Sequence, residues 1–196
     1  MFTTPDHGFM EQALELAGRG LNTTTPNPRV GSVVVRDGTV VGTGWHEKAG
    51  TPHAEVQALK AAGARSRGAT LYVNLEPCSH HGSTPPCVNA IVEAGVKRVV
   101  AAIQDPNPKV AGAGFAKLRA AGIAVEHGLM EDEARELNIG FLARMTRGRP
   151  WVRMKIAASL DGRTALANGK SRWITGETAR QDGHRWRARG DRKSVV

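Results

Sequence analysis

The chain has 196 residues, 40% of them hydrophobic, and a formal net charge of +9. That length holds one domain with a full core, or one domain and part of another, and no stretch reaches the roughly 18 apolar residues a membrane helix needs. The charge is uneven, with 18 Lys/Arg against 15 Asp/Glu in residues 1–162 and 9 against 3 in residues 163–196, so a nucleic-acid-binding body is not expected. The opening stretch lacks a basic region followed by an apolar one, and a cytoplasmic location is the expectation.

Residues 3–20 predict a helix, with Thr4 as its cap, Pro5 in its first turn, Phe9, Leu14 and Ala17 near one face, and Gly20 at its end. The two prolines of "TPNPRVG" make a loop. Val30 to His46 predicts a β-hairpin turning at Asp37-Gly38. A helix over His53–Ala62 follows, then a strand over 68–77. A second helix spans 84–96, opened by Pro85-Pro86, and a buried strand spans 96–105. The pattern continues with a short helix over 115–122, a strand over 123–129 and one long helix over 131–148. Alternation of this kind predicts an α/β sandwich with helices covering a sheet. After Pro150 the pattern restarts, with a strand and turn over 151–162 and then a loop leading into a helix. The 46 residues beyond Pro150 are too few for an independent domain of ordinary size.

The chemistry gathers in three short segments. His53 and Glu55 stand two apart at a helix start, Cys78 follows a strand as Pro-Cys, and Cys87 opens a helix as Pro-Pro-Cys. With only two cysteines and a reducing compartment, a metal or catalytic role is favoured over a disulfide. One imidazole and two thiolates suit Zn²⁺ better than Mg²⁺ or Ca²⁺, and three protein ligands leave one position open for water. Unpaired N–H groups at helix starts favour the thiolate form. Glu55 then carries a proton between that water and a leaving amine. H-x-E followed by P-C is the pattern of zinc-dependent nucleobase deaminases, in which the Glu is not a ligand. Here the second cysteine comes after eight residues, "SHHGSTPP", not two. Other readings stay open on these residues alone: a capping His53, a first-turn Glu55, cysteines as small buried hydrophobes, or a structural site completed by His80 or His81.

The segments "TPNPRVGSVVV", "GWHEKAGTPHAE", "LEPCSHHGSTPPC" and "QDPNPKVAGAG" resemble the deaminase domain of the bifunctional riboflavin-biosynthesis deaminase/reductase family. "KIAASLDGRTALANGKSRWIT" resembles the beginning of its reductase domain. The resemblance runs from about Asp6 to Asp191. It implies a three-layer α/β/α cytidine-deaminase-like domain over residues 1–147, followed over 150–196 by the start of a dinucleotide-binding reductase domain. The implied activity is zinc-dependent removal of the 2-amino group from 2,5-diamino-6-ribosylamino-4(3H)-pyrimidinone 5′-phosphate. His53, Cys78 and Cys87 would hold the zinc and Glu55 would shuttle protons.

By the same resemblance Asn27 and His46 bind the substrate's base or sugar. Ala157 and Trp173 lie at NADPH, and Ser171 and Arg187 at the reductase substrate. Arg187 is one of six basic residues between Arg180 and Lys193, a setting suited to anions. The family commonly has Lys or Arg where this chain has Ser83, so weaker grip on the 5′-phosphate is expected, a hydroxyl carrying no charge. The reductase segment is expected not to reduce anything alone, and Trp151, Val152 and Ile156 are expected to favour a homo-oligomer. Two further functions stay open: a deaminase of tRNA bases or free nucleosides, and a non-catalytic zinc-stabilised binding module.

Overall fold

The computed structural model describes residues 2–82, 84–108 and 110–190. It divides into two compact units, Met1–Trp151 and Val152–Val196. The first unit begins with α1 (Thr4–Arg19). Its cap is Thr3 and not Thr4: the Thr3 hydroxyl accepts from Asp6 N–H while the Asp6 carboxylate accepts from Thr3 N–H, a reciprocal capping box. Thr4, one residue later, already has helical backbone.

The hairpin is β1 (Gly31–Arg36) and β2 (Thr39–Trp45), paired antiparallel. Asp37 and Gly38 turn it with φ of 50° and 73°, the twist that a two-residue hairpin needs. Next come α2 (Ala54–Ala62), β3 (Thr70–Leu75), α3 (Cys87–Glu93), β4 (Arg98–Ile103), α4 (Ala113–Ala120) and β5 (Ala124–His127). The five strands form one mixed sheet in the order β2-β1-β3-β4-β5. β1 pairs antiparallel with β3, whereas β3–β4 and β4–β5 are parallel, each joined by a helical crossover.

The sheet is buried on both faces, as near-continuous runs such as "RVVAAI" require. Successive residues serve opposite cores. Val34, Leu71, Val73, Val99 and Ala101 pack with Ala58, Leu59, Val88, Ile91, Phe115 and Leu118 from α2, α3 and α4. Val33, Val35, Tyr72, Val100 and Ala102 pack with Met10, Ala13, Leu16, Ala134 and Leu142 from the other side. The result is a three-layer α/β/α sandwich.

Two further expectations are corrected. The long helix over 131–148 is two helices, α5 (Glu131–Leu137) and α6 (Ile139–Arg147). They break at Asn138, whose fully buried amide accepts from Arg29 N–H and donates to Arg29 C=O, taking the place of a strand partner for that residue. The second correction lies after Pro150, where residues 151–159 form no strand. Val152, Met154 and Ile156 alternate as a strand would but are 80%, 80% and 58% exposed. Alternation makes a strand only where a neighbour takes its backbone hydrogen bonds. The expected helix of the second unit is α7 (Glu177–Ala188).

Candidate metal centre

Three elements deliver the site. His53 is the N-cap of α2, with extended backbone. Cys78 lies just beyond β3, and Cys87 is the first residue of α3. All three ligating atoms lie within 4.8 Å of one another. His53 Nδ1 is 3.1 Å from Cys87 Sγ and 3.6 Å from Cys78 Sγ. Cys87 N–H donates to Cys78 Sγ across 3.3 Å, a helix-start donor supporting a thiolate. The hydrogen bond from the Cys87 side chain, with help from His53, pulls the Cys78 thiol down, to about 4. The same contact, together with burial, pushes Cys87 up. His53 is raised, mainly by Cys78 and against its burial.

The donor set is nitrogen and sulfur, compact and protected, and it fits Zn²⁺. With Nδ1 turned to the sulfurs, His53 Nε2 lies 3.4 Å from Thr84 Oγ1, a partner that holds the ring's orientation.

Glu55 is 3% exposed, and its Oε2 is buried without a hydrogen-bond partner. Burial raises its pKa, with the charge of Cys78 adding to this and His53 opposing it. A buried carboxylate oxygen left unpaired costs stability, so it points to a function that uses the free lone pairs.

Asn27 and His46 meet on one flank. Asn27 Nδ2 lies 3.1 Å from His46 Nε2, and His46 Nδ1 faces Pro52 C=O at 3.4 Å. Those partners assign the hydrogen to Nδ1 and leave Nε2 as acceptor. Burial lowers the His46 pKa, in keeping with a neutral ring. The rings of His46 and His53 meet edge to face at 5.3 Å. His53, Glu55, Cys78, Cys87, Asn27 and His46 thus form one neighbourhood.

The other four expected residues lie in the second unit. Ser171 donates to Thr164 C=O, and Arg187 reaches His184 at 3.5 Å. Trp173 is 72% exposed under the Arg180 guanidinium, and Ala157 is half-buried. Ser83, tied to phosphate affinity, lies outside the described residues. Sequence reasoning missed Thr84, Asn138 and the buried Glu76. Their partners are far along the chain, and the only local signal was an acid beside Pro77-Cys78.

Residues 3–103 match the family described as the cytidine and deoxycytidylate deaminase zinc-binding region. The chain belongs to that deaminase family. Residues 150–192 of this family member match the RibD C-terminal domain. The riboflavin biosynthesis protein RibD of Escherichia coli is 60% identical over 177 residues, covering 90% of this chain and 48% of that protein. A solved structure of Acinetobacter baumannii RibD superposes with a TM-score of 0.89 at 59% identity, over 94% of this chain and 52% of that one. A Thermotoga maritima diaminohydroxyphosphoribosylaminopyrimidine deaminase/5-amino-6-(5-phosphoribosylamino)uracil reductase gives a TM-score of 0.89 at 45% identity, over 93% and 53%. This deaminase-family chain therefore spans about half the length of its curated relatives. Among the described residues no helix is long and apolar enough to cross a membrane.

Proposed function

We propose that the first unit is a zinc-dependent hydrolytic deaminase of riboflavin biosynthesis. Its substrate is 2,5-diamino-6-ribosylamino-4(3H)-pyrimidinone 5′-phosphate, and its product is 5-amino-6-ribosylaminouracil 5′-phosphate plus ammonia. The observation that carries the reading is the partnerless Glu55 Oε2 beside a compact His/Cys/Cys set. A structural metal site has no use for such an oxygen.

His53 Nδ1 and the sulfurs of Cys78 and Cys87 would hold the ion, which would supply Lewis acidity at the site. Glu55 Oε2 would take a proton from the attacking water as its oxygen adds to C2 of the pyrimidine. It then returns the proton to the departing amino nitrogen. Burial raises the Glu55 pKa, which favours its holding the proton between the two halves of the cycle. Asn27 and His46, hydrogen-bonded to each other, orient the base or sugar.

In this reading residues 1–147 are the deaminase domain and 150–196 belong to a reductase domain that uses NADPH. Ala157 and Trp173 then serve the dinucleotide, and Ser171 and Arg187 serve the substrate. The setting is cytoplasmic, the partner is a small molecule and not RNA, and chains self-associate through the exposed Trp151, Val152 and Ile156.

The test is ammonia release from the diaminopyrimidine ribosyl phosphate by zinc-loaded protein, with Glu55→Ala alongside. The wild type turns over, and the variant loses about 10²–10⁴-fold while keeping its zinc. Equal rates for the two proteins would remove the mechanism.

A further inference from the structure

One buried carboxylate has no part in that mechanism. Glu76 is 3% exposed and sits between the end of β3 and Pro77-Cys78. Its Oε2 accepts from the backbone N–H of Asp105 at 3.1 Å and of Gly112 at 3.0 Å. Its Oε1 accepts from Gly114 at 2.9 Å and from Phe115 at 3.3 Å. Four backbone donors thus converge on one side chain. Two of them, Gly114 and Phe115, are first-turn donors of α4 that a capping side chain would ordinarily satisfy. The N-cap of α4 is Gly112, which has no side chain to offer. Glu76 caps that helix from just beyond the end of β3.

The arrangement bears on Cys78 from both sides. A Cβ on Gly114 would lie 2.1 Å from Pro77 C=O, so α4 starts directly against the residue before Cys78. One turn on, Lys117 Nζ donates to Ser79 C=O at 2.8 Å, holding the residue after it. Cys78 C=O itself accepts from Val88 N–H in α3.

We propose that Glu76 is a positioning residue for the metal site: by tying α4, Asp105 and Gly112 to the turn at Pro77, it holds Cys78 Sγ in register with Cys87 and His53. The inference rests on the zinc reading of those three residues. It needs the carboxylate specifically. Two anionic oxygens accept four N–H bonds, whereas an amide offers one oxygen and turns two donors of its own toward backbone donors.

The experiment measures zinc affinity by chelator competition, and the ligand-field and thiolate charge-transfer bands of the Co²⁺-loaded full chain, for wild type, Glu76→Gln and Glu76→Asp. Far-ultraviolet circular dichroism confirms folding. Glu76→Gln binds zinc 10–100-fold more weakly with altered cobalt bands, the range seen when groups behind a metal ligand are lost. Glu76→Asp recovers part of the affinity. A purely structural role would lower the melting temperature of the metal-free variant and leave affinity and bands unchanged, and that result overturns the proposal. If Glu76→Gln does not fold, the wild type decides. Coupling is reciprocal, so zinc must slow amide exchange at Gly112, Gly114 and Phe115 at least tenfold. Unchanged exchange at those amides overturns the proposal equally. Neither readout involves turnover. A chain with Glu76-dependent zinc binding but no ammonia release sinks the deaminase reading alone, and a turning-over enzyme indifferent to Glu76 sinks only this one.

Discussion

Tyr72 Oη donates to Asp6 Oδ1 at 2.7 Å, and Arg98 Nη1 reaches the same oxygen at 2.7 Å, joining α1, β3 and β4 through one carboxylate. Burial alone would raise the Asp6 pKa, but hydrogen bonds from Arg98, Tyr72 and Thr3 outweigh it and hold the group well below the usual carboxylate range. A depressed folded-state pKa gives stability that is present above the unfolded value, near ~3.9, and lost as pH falls below it. Asp6→Asn should therefore cost about 3 kcal/mol at pH 7, because Arg98 loses its buried partner. The gap between wild type and variant should close as thermal melts are taken from pH 5 down to the acid limit. A constant gap across that range would exclude this origin. Residues of this kind divide by legibility. His53, Glu55, Cys78 and Cys87 were readable because their chemistry is in their identity and spacing. Asp6 and Glu76 were not, because the partners that matter lie 66 and 92 positions from the first and 29–39 from the second, and several are bare backbone N–H groups.

At the scale of elements, the hairpin is shaped to receive a helix. A Cβ on Gly42 would lie 2.2 Å from Ala58 C=O and 2.6 Å from Ala62 N, so α2 lies directly on the backbone of β2. Because α2 begins at His53, that contact sets the height of the first metal ligand. Gly42→Val should destabilise the unit by about 3 kcal/mol through overpacking and also weaken zinc binding. Chemical denaturation and chelator competition check the two effects separately. Sequence periodicity located nearly every helix and strand in the first unit, since amphipathic patterns record burial. It missed the α5–α6 break because Asn138 interrupts the helix for Arg29, 109 residues away, while the apolar pattern runs on unbroken.

For the whole molecule, every residue of the two buried clusters lies at or before Leu142. The expectation is that residues 1–151 alone keep their melting temperature to within ~2 °C and bind one zinc, because both buried clusters lie within them. Calorimetry of the two chains against metal content measures this, and a drop beyond 10 °C would contradict it. The three ligands come from separate elements, with His53 and Cys78 25 positions apart and Cys78 and Cys87 9 positions apart. They converge only when α2, β3 and α3 are all in place. The unfolded chain therefore offers the ion no comparable site, and by mass action stability climbs with the logarithm of free zinc. Robustness is then shared between the polypeptide and the metal supply of its surroundings, and two preparations of identical sequence would melt apart if their zinc differed.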